Sequence, residues 1–339
     1  MQLEPVSLQN PLPMDAQPPV VAAPLGDRLH VFARDPNSGR VGSCSVDAKG
    51  AAGESRQLSL DTVVAAVPCG DLIVVTGSRA GGPGVMGVAD GTARWSAAVE
   101  PHGELGAWPL PVCGNGRVGL IWWTKPTTLQ VAQLEGETAR STATLNVGGP
   151  IDGLDAAASN GTMVAAVATA ESLSLYKIAD GSVGEGIPVS AERAVAPGIC
   201  AVESDLVVAW ISPSNGEVRL RRFAGPEISL PRRAGEGRGG GRVEVIVTAD
   251  QGQRLRSMRL LGAYRDKVAL TWTVSQGGQR GDLAVQQFAA VYDATRGESG
   301  PPQALGPGGA YLAGGWIGDA LVVIHGADAP LASVFRLSA

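Results

Sequence analysis

The sequence has few aromatic and few charged side chains. Aromatic residues make up 4% and charged residues 17% of the 339 residues, whereas glycine alone occurs 47 times. No long stretch places apolar residues at helical spacing between proper caps, so almost no helix is predicted. Because 44% of the residues are still hydrophobic, the composition favours a large core built from thin, closely stacked β-sheets.

Long hydrophobic runs and an excess of positive charge are also lacking. No run of about 18 apolar residues occurs, so we expect no membrane-spanning segment and no membrane partner. The first residues, MQLEPVSLQNPLP, contain no cationic region followed by an apolar one, and we expect no signal peptide. A net charge of −5 argues against a general nucleic-acid-binding protein.

Only four cysteines occur, and no two of them have the C-x-x-C spacing of a redox or zinc motif. Cys44, Cys69, Cys113 and Cys200 all fall within predicted strands. We therefore interpret all four as buried free thiols rather than as disulfide or metal-binding residues. Free thiols in turn predict a reducing, cytoplasmic location.

Motifs that carry chemistry are equally sparse. His30, His102 and His325 have no acidic residue or cysteine at metal-ligand spacing, so no metal site is predicted. The nucleophile motif G-x-S-x-G is absent, and GEGRGGGR lacks the Gly-Lys-Ser/Thr ending of a phosphate-binding loop. The sequence thus predicts no catalytic residue and no cofactor, and it leaves open whether the protein is an enzyme.

What the chain does contain is a repeated strand pattern. Its clearest unit, residues 199–223, reads ICAVESDLVVAWISPSNGEVRLRRF: a strand, a tight turn, a second strand, another turn and an alternating third strand. The aspartate or asparagine of the first turn recurs with steps of 44, 44, 45, 45, 61 and 53 residues. These turn positions are Asp27, Asp71, Asn115, Asn160, Asp205, Asp266 and Asp319.

A period near 45 residues with four short strands is typical of one blade of a β-propeller. Weaker fourth strands are predicted at 56–60, 93–99 and 139–147. The seventh unit stops after its third strand, while residues 3–9 belong to no unit. We therefore predict an all-β, seven-bladed propeller of four-stranded antiparallel blades, spanning residues 1–339 as a single domain. The N-terminal strand is expected to complete the last blade and close the ring.

Two units are longer than the others. Residues 231–254 contain a loop rich in glycine and arginine followed by a strand-like run at 243–248, and residues 293–309 are rich in glycine and proline. By position, both segments are predicted to connect the outer strand of one blade to the inner strand of the next. Those connections lie on the face where propellers usually bind ligands. Composition alone indicates no role for the insertion at 232–253.

The repeat resembles that of bacterial seven-bladed β-propeller repeat proteins. The stretch LIVVTGSRAGGPGVMGVADGTARW of the second unit is similar to the quinoprotein-type repeat, and RLHVFARDPNSGRV of the first unit looks like repeats of bacterial propeller lectins. Neither a WD dipeptide nor a sialidase Asp-box recurs along the chain. The resemblance therefore implies the fold and assigns neither a subfamily nor a catalytic residue.

Two groups of side chains have both a structural and a functional interpretation. Trp122, Trp210 and Trp272 occupy one repeat position, where large aromatic residues usually pack between blades; stacking on a sugar or base is the alternative. Several arginines concentrate positive charge in and after the fifth unit, either as a solvated surface or as a site for an anionic partner. They are Arg219, Arg221, Arg222, Arg232, Arg233, Arg238 and Arg242.

A ring of polar and aromatic residues is predicted where the first strands begin. The first strand of each blade lines the central channel of a propeller, and ligands often bind at one of its mouths. Two aromatic residues and two arginines there could hold a planar or anionic group, with carboxylates orienting it; the alternative is a lining whose charges pair with one another. The ring consists of Asp61, Trp108, Asp152, Arg193, Arg256 and Tyr311, of which the last five are the predicted ligand-binding residues.

These patterns predict a non-catalytic binding or scaffold propeller that recognises a peptide or protein partner. The alternative is a propeller enzyme, a hydrolase or lyase acting on a peptide or carbohydrate at the channel mouth. A lectin would need aromatic and polar pockets repeated in most blades, and the sequence shows no such repetition.

Overall fold

The repeat folds into a ring of seven antiparallel sheets. A computed structural model describes residues 2–136, 138–179, 182–225, 242–276, 285–309 and 311–338. These described residues contain twenty-nine strands. Six sheets have four strands each, and the sheet of blade six has five. In blades one to five, neighbouring strands follow one another along the chain, as expected for successive antiparallel strands of a meander.

The first four blades follow one another from residue 17 to residue 190. Blade one contains β2 (Gln17–Leu25), β3 (Arg28–Arg34), β4 (Val41–Asp47) and β5 (Arg56–Gln57). Blade two contains β6 (Ala65–Cys69), β7 (Leu72–Arg79), β8 (Gly82–Ala89) and β9 (Thr92–Ala98). Blade three contains β10 (Leu110–Gly114), β11 (Arg117–Thr124), β12 (Thr128–Glu135) and β13 (Thr138–Asn146). Blade four contains β14 (Ile151–Ser159), β15 (Thr162–Thr169), β16 (Leu173–Ala179) and β17 (Ser182–Ser190).

The last three blades complete the ring. Blade five contains β18 (Val195–Val202), β19 (Asp205–Ser212), β20 (Glu217–Phe223) and β21 (Glu244–Thr248). Blade six contains β22 (Gln253–Tyr264), β23 (Lys267–Gln276), β24 (Val285–Asp293), β25 (Glu298–Ser299) and β26 (Gln303–Pro307). Blade seven contains β27 (Ala313–Ile317), β28 (Ala320–His325), β29 (Leu331–Leu337) and, as its outer strand, β1 (Leu3–Pro11).

The N-terminal strand closes the ring, which confirms the predicted closure. β1 runs antiparallel to β29, and its register begins with Leu3 opposite Leu337. Leu3 is 3% exposed and joins the hydrophobic cluster between blades six and seven. The two ends of the chain therefore share one sheet, and this pairing covers the edge that β29 would otherwise leave open.

The hydrophobic core is divided among the interfaces between blades. One cluster joins Phe32 of blade one to Ile73 of blade two, and another joins Val322 of blade seven to Val31 of blade one. Clusters of this kind occupy all seven interfaces within the described residues. The second strand of a blade is covered on both faces by the neighbouring blades. For this reason β19 contains the uninterrupted apolar run LVVAWI, and all of its residues are buried.

The three tryptophans at the shared repeat position are core residues, as the structural interpretation predicted. Trp122, Trp210 and Trp272 are each 1% exposed and lie in interfaces between blades. His325 occupies the corresponding position in blade seven, where its Nε2 lies 2.7 Å from the Ser333 hydroxyl. Burial lowers the pKa of His325 to about 4, so this imidazole is neutral at neutral pH.

The prediction that all four cysteines are free thiols is wrong for two of them. Cys69 ends β6, Cys113 lies in β10, and a disulfide joins them across the interface of blades two and three. Their separation of 44 residues is one blade step, so both occupy the same repeat position on neighbouring innermost strands. Cys44 and Cys200 are buried free thiols, as predicted. The expected cytoplasmic location rested on four free thiols and loses that support.

The first turn of each blade differs in detail from its prediction. The left-handed backbone falls on the glycine before the aspartate at Gly26, Gly70 and Gly318, and on the asparagine itself at Asn115 and Asn160. In blade five it falls on Glu203, so Asp205 is the first residue of β19 rather than a turn residue. The Asp205 carboxylate accepts hydrogen bonds from the Arg222 guanidinium and from the Gly225 N–H. Asp205 is therefore structural, but through the end of the third strand rather than through the turn.

The predicted positions of the two long segments are also corrected. The arginine- and glycine-rich loop leads from β20 to β21, the third and fourth strands of blade five, rather than from one blade to the next. Residues 226–241 of this loop lie outside the described residues. The second segment, 293–309, contains β25 and β26, which both pair with β24 and supply the outer strand of blade six. Alignment on the first three strands misplaced both fourth strands, because each follows an irregular stretch.

Candidate functional site

The central channel has two chemically different ends. The innermost strands β2, β6, β10, β14, β18, β22 and β27 each contact the innermost strands of the two neighbouring blades. We call the end at which these strands begin the upper mouth, and the side with the tight turns into the second strands the lower face. The predicted ring of ligand-binding residues lies at or near the upper mouth. The arginine- and glycine-rich loop leaves β20 at the lower face, because Phe223 pairs with Leu206 near the start of β19.

Two of the predicted residues lie where the pairing between strands is irregular near the upper mouth. The ladder between β14 and β15 skips Asp152, and the ladder between β22 and β23 skips Arg256. Both residues are therefore at β-bulges, which redirect a side chain out of the regular pleat and are frequent beside binding sites. The innermost strands of blades one and five are also irregular at this level, at 18–19 and 196–197.

Asp152 and Arg193 form an ion pair across two blades. The Arg193 Nη2 lies 3.8 Å from the Asp152 Oδ2, and the two side chains are 61% and 36% exposed. An exposed ion pair at this distance contributes about 0–1 kcal/mol to stability. Both groups therefore remain accessible to a ligand at the upper mouth, although they also fit the alternative prediction of a self-paired lining.

Arg256 is held at one nitrogen and exposed at the others. Its Nε donates a hydrogen bond of 2.7 Å to the Ser275 hydroxyl on β23, and the side chain is exposed. Ser275 in turn donates to the Arg254 carbonyl. The bond orients the guanidinium plane and leaves its two terminal nitrogens for a planar acceptor such as a carboxylate.

The two aromatic residues of the predicted ring have different environments. Trp108 is half-buried in the segment before β10. Tyr311 is 3% exposed, and its hydroxyl donates to the Ala16 carbonyl at 2.9 Å. Burial raises the pKa of Tyr311. The structure thus places Trp108 at the surface of the mouth and Tyr311 in the core between blades seven and one.

Asp61 is the sixth member of the predicted ring. It lies in the segment before β6, and its carboxylate accepts a hydrogen bond of 3.0 Å from the Ala80 N–H. This bond ties the segment to the hairpin between β7 and β8 of its own blade.

A carboxylate that the sequence reasoning missed lies deeper in the channel. Asp155, in the middle of β14, accepts a hydrogen bond of 2.8 Å from the Ile199 N–H on the neighbouring innermost strand β18. Burial raises the pKa of Asp155 to about 6, although the Ile199 and Ala156 N–H groups and the nearby Arg259 favour its charged form. Protein atoms surround most of the Asp155 carboxylate, but the residue remains partly exposed.

Two further arginines on β22 were also missed. Arg254 and Arg259 are exposed, although they belong to an innermost strand. The signal was present in the sequence: QRLRSMRLLGAY contains three arginines, whereas the other six innermost strands contain none. Counting a single position per blade from the turn selected Arg256 and passed over its neighbours.

The innermost strands carry charged residues on one side of the channel. Within the described residues, β14 and β22 are the innermost strands that carry charged side chains, whereas β2, β6, β10, β18 and β27 carry none. Arg193 lies two residues before β18. We call this side the polar sector; it consists of Asp152, Asp155, Arg193, Arg254, Arg256 and Arg259.

In the other concentration of arginines, Arg219, Arg221 and Arg222 make structural contacts. Arg219 forms ion pairs with Glu217 at 2.8 Å and with Glu192 at 3.3 Å. Arg221 donates to the Val189 carbonyl, and Arg222 pairs with Asp205. Three of the remaining arginines, Arg232, Arg233 and Arg238, lie outside the described residues.

Other candidate chemistry lies elsewhere. No group of three potential metal ligands occurs among the residues that the structure describes. Burial lowers the pKa of His30 and raises the pKa values of Cys44 and Cys200 to about 12. A cleft of about 210 Å³ on blade one is lined by Met14, Asp15, Asp35 and other residues, away from the polar sector. Within the described ranges, no helix is long and apolar enough to cross a membrane.

Comparison with known proteins supports the fold alone. The structure is similar to the β-propeller domain of Cps50 (Swd1) from Myceliophteria thermophila, with a TM-score of 0.60 and 8% sequence identity, covering 97% of this chain and 98% of that one. It is also similar to the subtype N11 neuraminidase-like protein of A/flat-faced bat/Peru/033/2010 (H18N11), with a TM-score of 0.52 and 12% identity, covering 89% and 94%. No family profile and no curated protein matches the sequence.

Proposed function

We propose that this propeller is a non-catalytic binding protein that recognises a peptide or protein partner at its upper mouth. The observation that carries the proposal is the placement of Asp152 and Arg256 on β-bulges at this mouth, beside the exposed Arg193. Bulges turn these side chains out of the ladder, so they meet a ligand that approaches along the channel axis. Trp108 adds a half-buried aromatic surface beside them.

The side chains at the upper mouth suit the binding of a peptide or protein partner, because the ring of blades holds them in fixed positions. Asp152, Arg193 and Arg256 come from three successive blades, and each blade is fixed by a buried interface with the next. A ligand bridging these blades would meet groups whose positions are set before binding, which reduces the entropy lost on association. A partner that inserts a loop or a chain end into the channel fits this geometry.

The experiment is a selection from a random peptide library, followed by affinity measurements on the selected peptides. We expect the wild type to enrich specific sequences, and Trp108→Ala, Arg193→Ala and Arg256→Ala each to weaken binding by about 1–3 kcal/mol. The matched control is Arg336→Ala, which removes an exposed arginine that pairs with Asp319 at the lower face. Enrichment that survives all three mouth substitutions, or an equal loss in the control, would contradict the proposal.

A propeller enzyme is the second candidate, and Asp155 is the observation that favours it. A carboxylic acid with a pKa of about 6 is suited to general acid–base catalysis near neutral pH. In that case the protein would be a hydrolase or lyase acting on a peptide or carbohydrate in the channel. Incubation with libraries of both substrate classes tests this candidate: Asp155→Asn should abolish any turnover of the wild type while leaving ligand binding in place.

A further inference from the structure

We propose that the polar sector binds a peptide that carries carboxylate groups, and that Arg254, Arg256 and Arg259 of β22 bind these carboxylates. This inference rests on the proposed binding function and names the chemistry of the partner. Three arginines on one innermost strand, all exposed, are unlike anything on the other six innermost strands of the described structure. They extend from the upper mouth towards the middle of the channel.

The charges of the sector leave an excess of positive charge. Four arginines face two aspartates, so the formal sum is 4 − 2 = +2 in a chain whose net charge is −5. Asp152 is paired with Arg193. Asp155 interacts with Arg259 and with backbone N–H groups. The guanidinium groups of Arg254 and Arg256 have no acidic partner among the described residues, so an anionic group would be attracted to this side of the mouth.

The form of the guanidinium group favours a carboxylate as its acceptor. Two parallel N–H donors of an arginine match the two oxygens of a carboxylate, which gives a directed pair stronger than a neutral hydrogen bond. Arg256 is prepared for this contact, since Ser275 holds its Nε and leaves the terminal nitrogens exposed. Arg259 lies deeper, so a ligand with carboxylates along an extended chain can meet both residues.

The backbone around the sector favours a peptide over a small anion. β14, β18 and β22 are edge strands of their sheets, and each pairs with a single neighbouring strand. Their other edges present N–H and C=O groups to the channel, as the Ile199 N–H shows by donating to Asp155. An extended peptide can use such groups while its side chains meet the arginines. Inorganic phosphate would use the arginines alone.

The test measures binding of a fluorescein-labelled peptide of alternating glutamate and alanine by anisotropy. A matched peptide with glutamine in place of glutamate carries the same backbone without the charges. We expect the glutamate peptide to bind at least about tenfold more tightly, since hydrogen bonds between charged groups are stronger than neutral ones. Arg254→Gln, Arg256→Gln and Arg259→Gln should each weaken glutamate-peptide binding about fivefold or more. Arg336→Gln at the lower face should leave it unchanged, and circular dichroism checks the fold of every variant.

Asp155→Asn supplies a readout that a merely structural role would not move. This substitution removes the negative charge that opposes an anionic ligand, so affinity for the glutamate peptide should rise at pH 7.5. In the wild type the same gain should appear when the pH falls through 6. The groups facing Asp155 are Arg259, the Cys200 thiol and the Ile199 N–H, and none of these changes its charge between pH 5 and 7.5.

The outcomes separate this inference from the proposed function. Equal affinity for the glutamate and glutamine peptides, with both lost in Arg256→Gln, overturns the carboxylate assignment and leaves a peptide-binding mouth. Displacement of the glutamate peptide by inorganic phosphate at comparable concentration shows a small-anion site and overturns the peptide assignment. If library peptides bind and no substitution in the polar sector affects them, both proposals are wrong.

Discussion

The two sides of the channel differ in what their innermost strands carry. Between blades two and three, the innermost strands carry no charged residue, and the Cys69–Cys113 disulfide joins them. Between blades four and six, β14 and β22 carry the charged residues, with Asp152 and Arg256 at bulges. The second and third strands bury apolar residues on both sides alike. A blade thus packs largely through its second and third strands, and the innermost strands carry a disulfide on one side of the channel and charged side chains on the other.

Position in the ring explains why charge is tolerated on one of these strands. The inner edge of an innermost strand faces the water of the channel, so an arginine such as Arg259 remains solvated. A carboxylate set between two strands is less well solvated, and Asp155 accordingly has a raised pKa. The same fold therefore provides two environments for charge within a few residues of each other.

Opening the ring is the most severe way to break this comparison, because both sides depend on closure. Deletion of residues 1–10 removes most of β1 and takes Leu3 out of the core between blades six and seven. We expect a loss of several kcal/mol in the free energy of unfolding, measured by denaturant titration. Val6→Ser and Leu8→Ser change side chains of the same strand that are 46% and 55% exposed and should have little effect. A truncated protein as stable as the parent would show that the ring seals elsewhere.

Removing the Cys69–Cys113 disulfide changes the interface of blades two and three and no residue of the polar sector. Replacing Cys69 and Cys113 together by serine should lower the free energy of unfolding by about 4 kcal/mol, the loop-closure value for a bridge across 44 residues. Reductant should destabilise the wild type by a similar amount and leave the double variant unchanged. Mass spectrometry after thiol alkylation should find two reactive thiols under denaturing conditions, from Cys44 and Cys200. Four alkylated thiols in unreduced protein would refute the bridge.

Titration should distinguish two groups with shifted pKa values, His325 in the core of blade seven and Asp155 of the polar sector, by the sign of their response. His325 has a lowered pKa of about 4, so its contribution to stability is present above pH 6.5 and is lost as the pH falls towards 4. Asp155 has a raised pKa of about 6, so its contribution is present below pH 3.8 and is lost as the pH rises towards 6. Each effect should amount to about 2–3 kcal/mol.

The measurement is the difference in unfolding free energy between wild type and variant from pH 4 to pH 7.5. Relative to His325→Gln, the wild type should lose stability on acidification. Relative to Asp155→Asn, it should gain stability over the same range. Parallel curves in both comparisons would mean that neither group changes its pKa on folding.

The smallest difference concerns the two sides of the lower face. Asp71 and Asp205 occupy equivalent repeat positions in blades two and five, but they differ in their contacts. Asp205 accepts from Arg222 and from the Gly225 N–H, whereas Asp71 is exposed and its carboxylate meets no donor among the described residues. Asp205→Ala should therefore lower the unfolding free energy by about 1–2 kcal/mol, and Asp71→Ala by less than about 0.5 kcal/mol. Equal effects in thermal melts would show that the turn itself matters more than the contacts.

Much of the fold could be predicted from the chain because the repeat is local. A strand of five to nine residues and a two-residue turn are encoded by neighbours in sequence, and β19 with its flanking turns is an example. The strand-like run at 243–248 was recognised but not assigned as the outer strand β21 of blade five, and β26 was missed, because a fourth strand is held by its pairing with the third rather than by its own pattern.

The candidate site was predicted in part, for a similar reason. Counting back from the turn selected Asp152 and Arg256, and both residues lie at bulges near the start of their strands. The same count selected Tyr311, which is buried between blades seven and one, where its hydroxyl donates to the Ala16 carbonyl. Asp155 was missed, because its environment depends on the Ile199 N–H of the next blade.

The sequence by itself determined the number of blades, the apolar second strands and the closure by the N-terminal strand. These features depend on alternation, turn residues and a period that neighbouring residues set. Only the tertiary structure decided which equivalent positions meet across a blade interface. Cys69 and Cys113 are 44 residues apart and become partners because the ring brings successive innermost strands side by side. Asp152 and Arg193 are paired by the same geometry. Contacts between blades depend on the angle at which sheets pack, and that angle is a property of the whole ring.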